Sequence, residues 1–89
     1  MLSETVSGRR SRFEIIARVL HASRGRGVKK THLMGQCGMS FAQLEKYLDL
    51  VLKARLIQVQ DDGSSFCFRI SSKGRMFLKS YTSLKALIE

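Results

Sequence analysis

The sequence predicts a small, mainly helical α+β domain: three helices, then a two-stranded hairpin, then a last helix. Two stretches repeat apolar residues at helical spacing behind capping-box patterns, Ser11-x-x-Glu14 and Ser40-x-x-Gln43. Around Asp61-Asp62-Gly63-Ser64-Ser65 the apolar period falls to two, which is the alternation of half-buried strands beside a turn. A third signal is Gly38, which stands between two helical patterns only a few residues apart.

Residues 1–8 are polar and end in Gly8, so a loose arm is expected there. Helix 1 is predicted over residues 10–23, with Phe13, Ile16, Ala17 and Leu20 buried and Ile15 and Val19 widening the stripe. Gly25 and Gly27 end it in a loop made basic by Arg24 and Arg26. Val28-Lys29-Lys30 has room for one β-bridge. Thr31 is the expected cap of a short helix 2 that runs to about Cys37 and points Leu33 and Met34 inward. Gly38 supplies the left-handed turn.

Helix 3 follows over residues 40–54. Ser40 caps it, Phe41, Leu44, Leu48 and Val51 form the buried stripe, and Tyr47 and Leu52 stand on its shoulders. Ala42, Gln43, Lys46, Asp49 and Lys53 fall opposite, a face of small, amide and mostly basic groups. Leu50 also falls there, either against a partner or as a lone exposed apolar residue. Two helices joined by a few residues around a glycine make a helix-turn-helix, and a hairpin directly after it is a wing. In that hairpin Ile57 and Val59 share a face of the first strand, Phe66, Phe68 and Ile70 do the same in the second, and Gly63 takes the positive φ. Arg69 points away from the core with Cys67. Ser71 or Ser72 caps the final helix, where Phe77, Tyr81, Leu84 and Ile88 make a narrow seam flanked by Met76, Leu78 and Leu87.

Bulk properties narrow the function. The chain carries 16 Lys+Arg against 7 Asp+Glu, a net charge of +9 and a pI near 10.3. So large an excess in one small domain repels itself, and a polyanion relieves it: nucleic acid first, an anionic membrane surface second. No segment approaches the roughly 18 to 20 apolar residues of a membrane span. The start, MLSETVSGRRSR, lacks the apolar core of a secretory signal. Cys37 and Cys67 lie 30 positions apart without a CxxC pair, and His21 and His32 have no acid or thiol at ligand spacing. Both cysteines therefore read as small buried residues in a reducing, cytoplasmic setting, and no metal or cofactor is expected. The scattered acids offer no nucleophile with a base and no paired carboxylates, so the chain is not expected to be an enzyme.

Three stretches, RSRFEIIARVL, VKKTHLMGQCGMSFAQLEKYLDLVLKARLI and ISSKGRMFLKSY, carry a resemblance to small archaeal winged helix-turn-helix DNA-binding proteins. Together they cover most of residues 10 to 81, and the second is the most diagnostic because it holds helix 2, the turn and helix 3 at fixed spacing. The resemblance implies double-stranded DNA as partner, a role as transcriptional regulator or nucleoid-associated protein, and pairing of the C-terminal helix with that of a second subunit. It implies a DNA-binding domain over residues 9–71 and a dimerisation element over 72–89. Carried over by position, it places Ser40, Gln43, Lys46 and Tyr47, with Lys53 further along, on the groove-facing side of helix 3.

The basic residues form two clusters, Arg9, Arg10 and Arg12 before helix 1, and Arg24, Arg26, Lys29 and Lys30 before helix 2. Residues 1–30 hold eight Lys+Arg against Glu4 and Glu14, the asymmetric footprint of phosphate binding. With Thr31 and the free amides of helix 2, and with Arg69 on the wing, they are the candidate phosphate contacts. Gln43 suits adenine and Lys46 guanine, or else both merely solubilise the helix. Phe77, Tyr81, Leu84, Leu87 and Ile88 are the candidate dimer contacts, or else this helix folds back along helix 1 of its own chain. Asp49 and the acidic turn, Asp61 and Asp62, oppose tight sequence reading and favour a second possibility, a winged helix that binds protein within a larger assembly. RNA is disfavoured, because few exposed aromatics are expected to form a stacking platform.

Overall fold

The computed structural model describes residues 11–61 and 63–88. Arg9, Arg10, Asp62 and the expected arm lie outside them. Helices α1 (Arg12–Ala22), α2 (Lys30–Cys37) and α3 (Phe41–Lys53) lead into strands β1 (Ile57–Asp61) and β2 (Phe66–Ile70), and α4 covers Ser72–Ile88. None of these helices is long and apolar enough to cross a membrane.

Ser11 starts α1 by accepting the Glu14 amide at 3.1 Å. Ile16, Ala17, Val19 and Leu20 fill the core beneath it. Phe13, expected in that core, is 60% exposed. It sits a turn short of the packed layer, and its ring instead meets Phe77 with centroids 6.2 Å apart.

The next start also differs from expectation. α2 begins at Lys30 behind an extended Lys29, with no side-chain cap, and Thr31 lies exposed inside the first turn. The cause is tertiary. Val28 exchanges two hydrogen bonds with Phe68, at 2.9 and 2.7 Å, which holds the chain extended up to Lys29. Gly38 then closes α2 in the left-handed conformation, at φ 63.

Ser40 and Gln43 form the complete capping box of α3. Leu44, Leu48 and Val51 are buried, and Leu50 is half-buried against the core rather than free on the polar face. Phe41 departs from the expected stripe, being 56% exposed at the first helical position, where Lys30 Nζ lies 5.3 Å from its ring centre. The helix ends on Arg55 at φ 62; its amide donates to Leu52 and that of Leu56 to Val51, the paired bonds of a Schellman turn. An arginine there costs about 1–2 kcal/mol relative to glycine.

The hairpin pairs Ile57 with Ile70, Val59 with Phe68 and Asp61 with Phe66. Its apolar face is buried only at the base: Ile57, Phe68 and Ile70 are enclosed, while Val59 and Phe66 stay exposed towards the turn. Gly63 has positive φ, and its amide donates to Asp61 Oδ1 at 2.9 Å.

Ser71 fixes the start of α4, accepting from the Gly74 amide at 3.0 Å and donating to the Arg55 carbonyl at 2.7 Å. α4 packs on α1 and β2 through Leu78 and the bare backbone of Gly74. A Cβ at Gly74 would stand 2.7 Å from Ile70 Cγ1 and closer still to the Leu56 carbonyl oxygen, whereas one at Gly35 of α2 meets nothing. Gly74→Ala should therefore lower unfolding free energy by about 1–3 kcal/mol. Gly35→Ala should raise it by about 1 kcal/mol. Urea unfolding of the two variants, which are chemically the same change, checks both signs.

Candidate nucleic-acid interface

α3 crosses α1 and α2 and leaves Ser40, Ala42, Gln43, Lys46, Asp49 and Lys53 in solvent along one side, as its periodicity predicts. Tyr47 is half-buried at the core edge, where it supports the helix rather than projecting from it. The Gln43 side chain is already engaged: its Oε1 accepts from the Ser40 amide at 3.2 Å. A bidentate grip on an adenine needs both ends of the amide, so base reading by Gln43 competes with the cap.

The start of α2 comes up beside the middle of α3 and the wing. Lys29, Lys30 and Thr31 share with Glu45, Asp49 and Phe66 a cavity of about 560 Å³. Three of the expected phosphate residues are thus brought together at a helix N-terminus. The other described candidates are dispersed: Arg12 opens α1, Arg26 projects from the loop, Arg24 lies beside His21 near α4, and Arg69 is half-buried on β2.

Charge on this side is partly cancelled within the chain. Lys30 pairs with Glu45, and Lys53 with Asp49 at 3.1 Å. Periodicity singles out Asp49 on the exposed face of α3 and passes over Glu45. Yet Glu45 lies one helical turn before Asp49 and shares its flank, which is a signal the sequence carries. The ion pair to Lys30 is not legible there, because it joins positions 15 apart.

On α4 the Phe77 and Tyr81 rings stack with centroids 6.4 Å apart, both half-buried. Leu84, Leu87 and Ile88 are exposed, at 62, 83 and 87%.

Helix-turn-helix, bridge and flanking hairpin together define a winged helix-turn-helix domain. The chain belongs to the winged helix-turn-helix family, whose model matches residues 9–89. In structure it is similar to Sso10a-2, a DNA-binding protein from Sulfolobus solfataricus, with a TM-score of 0.76 and 18% identity. The similarity covers 88% of this chain and 81% of that one. No curated protein matches it in sequence.

The capping box sets the first turn of α3, so its loss is measurable without any ligand. Ser40→Ala should cost about 0.5–2 kcal/mol of stability, and Gln43→Ala less, because Ser40 Oγ would still accept the residue-43 amide. Thermal unfolding of the two variants orders them.

Proposed function

We propose that the chain binds double-stranded DNA with weak sequence preference, as an architectural, nucleoid-associated protein more than as an operator-reading regulator. The observation that carries this reading is the exposed side of α3, with Lys46 at its centre, standing beside the lysine-bearing start of α2 in a chain of net charge +9. α3 enters the major groove, and Lys29, Lys30 and Thr31 hold the flanking phosphate, helped by the free amides and dipole of α2. Arg9 and Arg10, and the dispersed Arg12, Arg26 and Arg69, add further phosphate contacts. Family membership and the DNA-binding neighbour support the reading. Weak preference follows from Glu45 and Asp49, which repel phosphate near the helix, and from a Gln43 held in its cap.

A second reading, in which the α3 and wing side docks a basic protein, draws support from the same acids together with Asp61 and the exposed Val59 and Phe66. A salt series separates the two. With about six phosphates neutralised, duplex affinity should fall roughly a thousandfold between about 50 and 200 mM salt. Replacing Lys29 and Lys30 by Ala should flatten the slope by about one unit for each phosphate no longer neutralised. A flat series, or no binding at low salt, would favour protein docking.

The chain acts as a homodimer through α4. Leu84 and Ile88 continue the Phe77–Tyr81 line beyond the last half-buried residue of the helix, and Leu87 adds apolar surface on a neighbouring flank. Each such side chain contributes roughly 1.5–3 kcal/mol when buried, enough in mutual pairs to offset the cost of association. The dimer sets two α3 helices towards neighbouring major grooves. Sedimentation at micromolar concentration should give a dimer for the wild type and a folded monomer for Leu84→Asp; a monomeric wild type refutes it.

A further inference from the structure

Among the described residues, a group of cations that no ion pair engages gathers away from α3, between α1 and α4. α4 has two flanks on either side of its buried line, Gly74 and Leu78. Phe77, Tyr81, Leu84 and Ile88 run along one. Arg75, Lys79 and Thr82, also three and four residues apart, run along the other. That second flank faces α1 across two clefts of about 480 and 330 Å³, which share His21 and Thr82 and so form one continuous groove. Arg18 and His21 line it from α1, Arg24 from the loop, and Arg75 and Lys79 from α4.

No ion pair among the described residues engages any of these five. Arg24 is held in place by its Nε, which donates to the His21 carbonyl at 3.4 Å. The described acids are Glu14, Glu45, Asp49 and Asp61, and only Glu14 reaches the groove, at one end. The α3 side has the opposite character, since two of its lysines are already paired with acids. A row of unpaired cations with the Thr82 and Ser83 hydroxyls between them suits a linear array of phosphates. α1 separates the two sides: α3 and α4 both pack on it, without substantial contact between themselves.

We propose that the groove between α1 and α4 is a second binding surface for the phosphate backbone of a DNA duplex, so that one chain holds two duplex segments. The proposal rests on the reading that α3 holds the first. Arginine at positions 18, 24 and 75 grips phosphate oxygens in pairs, Lys79 adds a point charge, and the hydroxyls donate between them. Leu84 and Ile88 of the apolar flank lie outside both clefts and remain free for a second subunit.

Stoichiometry tests this independently of oligomeric state. The probe is a blunt duplex of about one helical turn, titrated at about 50 mM salt and followed by sedimentation. The wild type should bind two duplexes per chain. Arg75→Ala/Lys79→Ala, at exposed positions and checked for folding by circular dichroism, should bind one, with that remaining affinity changed less than about twofold. Lys46→Ala should weaken the other site and leave the groove site in place. One duplex per chain for the wild type that is kept in Arg75→Ala/Lys79→Ala overturns the proposal, as do two per chain for Arg75→Ala/Lys79→Ala. If a single duplex binds and is lost in Arg75→Ala/Lys79→Ala but not in Lys46→Ala, the α3 reading fails instead and the groove is the primary site.

Discussion

The junction of Leu56, Ser71 and Gly74 holds the two halves of this fold together. Where the chain leaves α3, Arg55 turns it through a left-handed conformation and the Arg55 and Leu56 carbonyls point back at the start of α4. Ser71 answers both, its hydroxyl donating to Arg55 and its amide to Leu56, while the same hydroxyl caps α4. Gly74 lets the α4 backbone lie directly on the Leu56 carbonyl. The hairpin between these points is thereby closed at its base, with Ile57 and Ile70 in register and in the core. From that base β2 reaches the other way. It bonds to Val28 and Ser23, and so places the start of α2. The position of Lys29 and Lys30 beside α3 depends on this chain of backbone hydrogen bonds.

Electrostatics divides the surface more sharply than composition does. A net charge of +9 describes an average, yet Lys30 and Lys53 near α3 are paired with Glu45 and Asp49, and the arginines near α4 meet no acid partner among the described residues. Exposed ion pairs contribute little to stability, so these pairs matter chiefly for what they do to the local field. They lower the attraction for phosphate where bases could be read, and leave it high where only a backbone can be gripped. This arrangement is what the proposal of an architectural role rests on.

α4 combines three tasks in one helix. Its buried line closes the core, its aromatic flank carries Phe77 and Tyr81 onto Phe13, and its basic flank forms a groove with α1. Beyond Tyr81 every described residue is exposed, so the last turns of the helix draw little packing energy from their own chain. Helix propensity alone is weak support for so short an extension, which is the basis of the dimer proposed above.

Much of this is legible from the residues because it rests on local rules. The caps at Ser11 and Ser40 act within three residues, Gly38 and Gly63 are fixed by their own φ, and a two-residue period defines β2 to its ends. The exposed face of α3 follows from helical period alone. Only the tertiary structure decided the rest. It exposed Phe13, Phe41 and Phe66, whose positions fit a buried stripe but overhang the edges of a core too small to cover them. It moved the cap position of α2 from Thr31 to Lys29, because a bridge to Phe68 outweighed a threonine cap. It paired Lys30 with Glu45, placed Gly74 against Leu56, and made one basic groove from residues 18–24 and 75–83. Period and propensity set which way a side chain leaves its own element. What it meets there is set by how distant elements pack, and no local pattern encodes that.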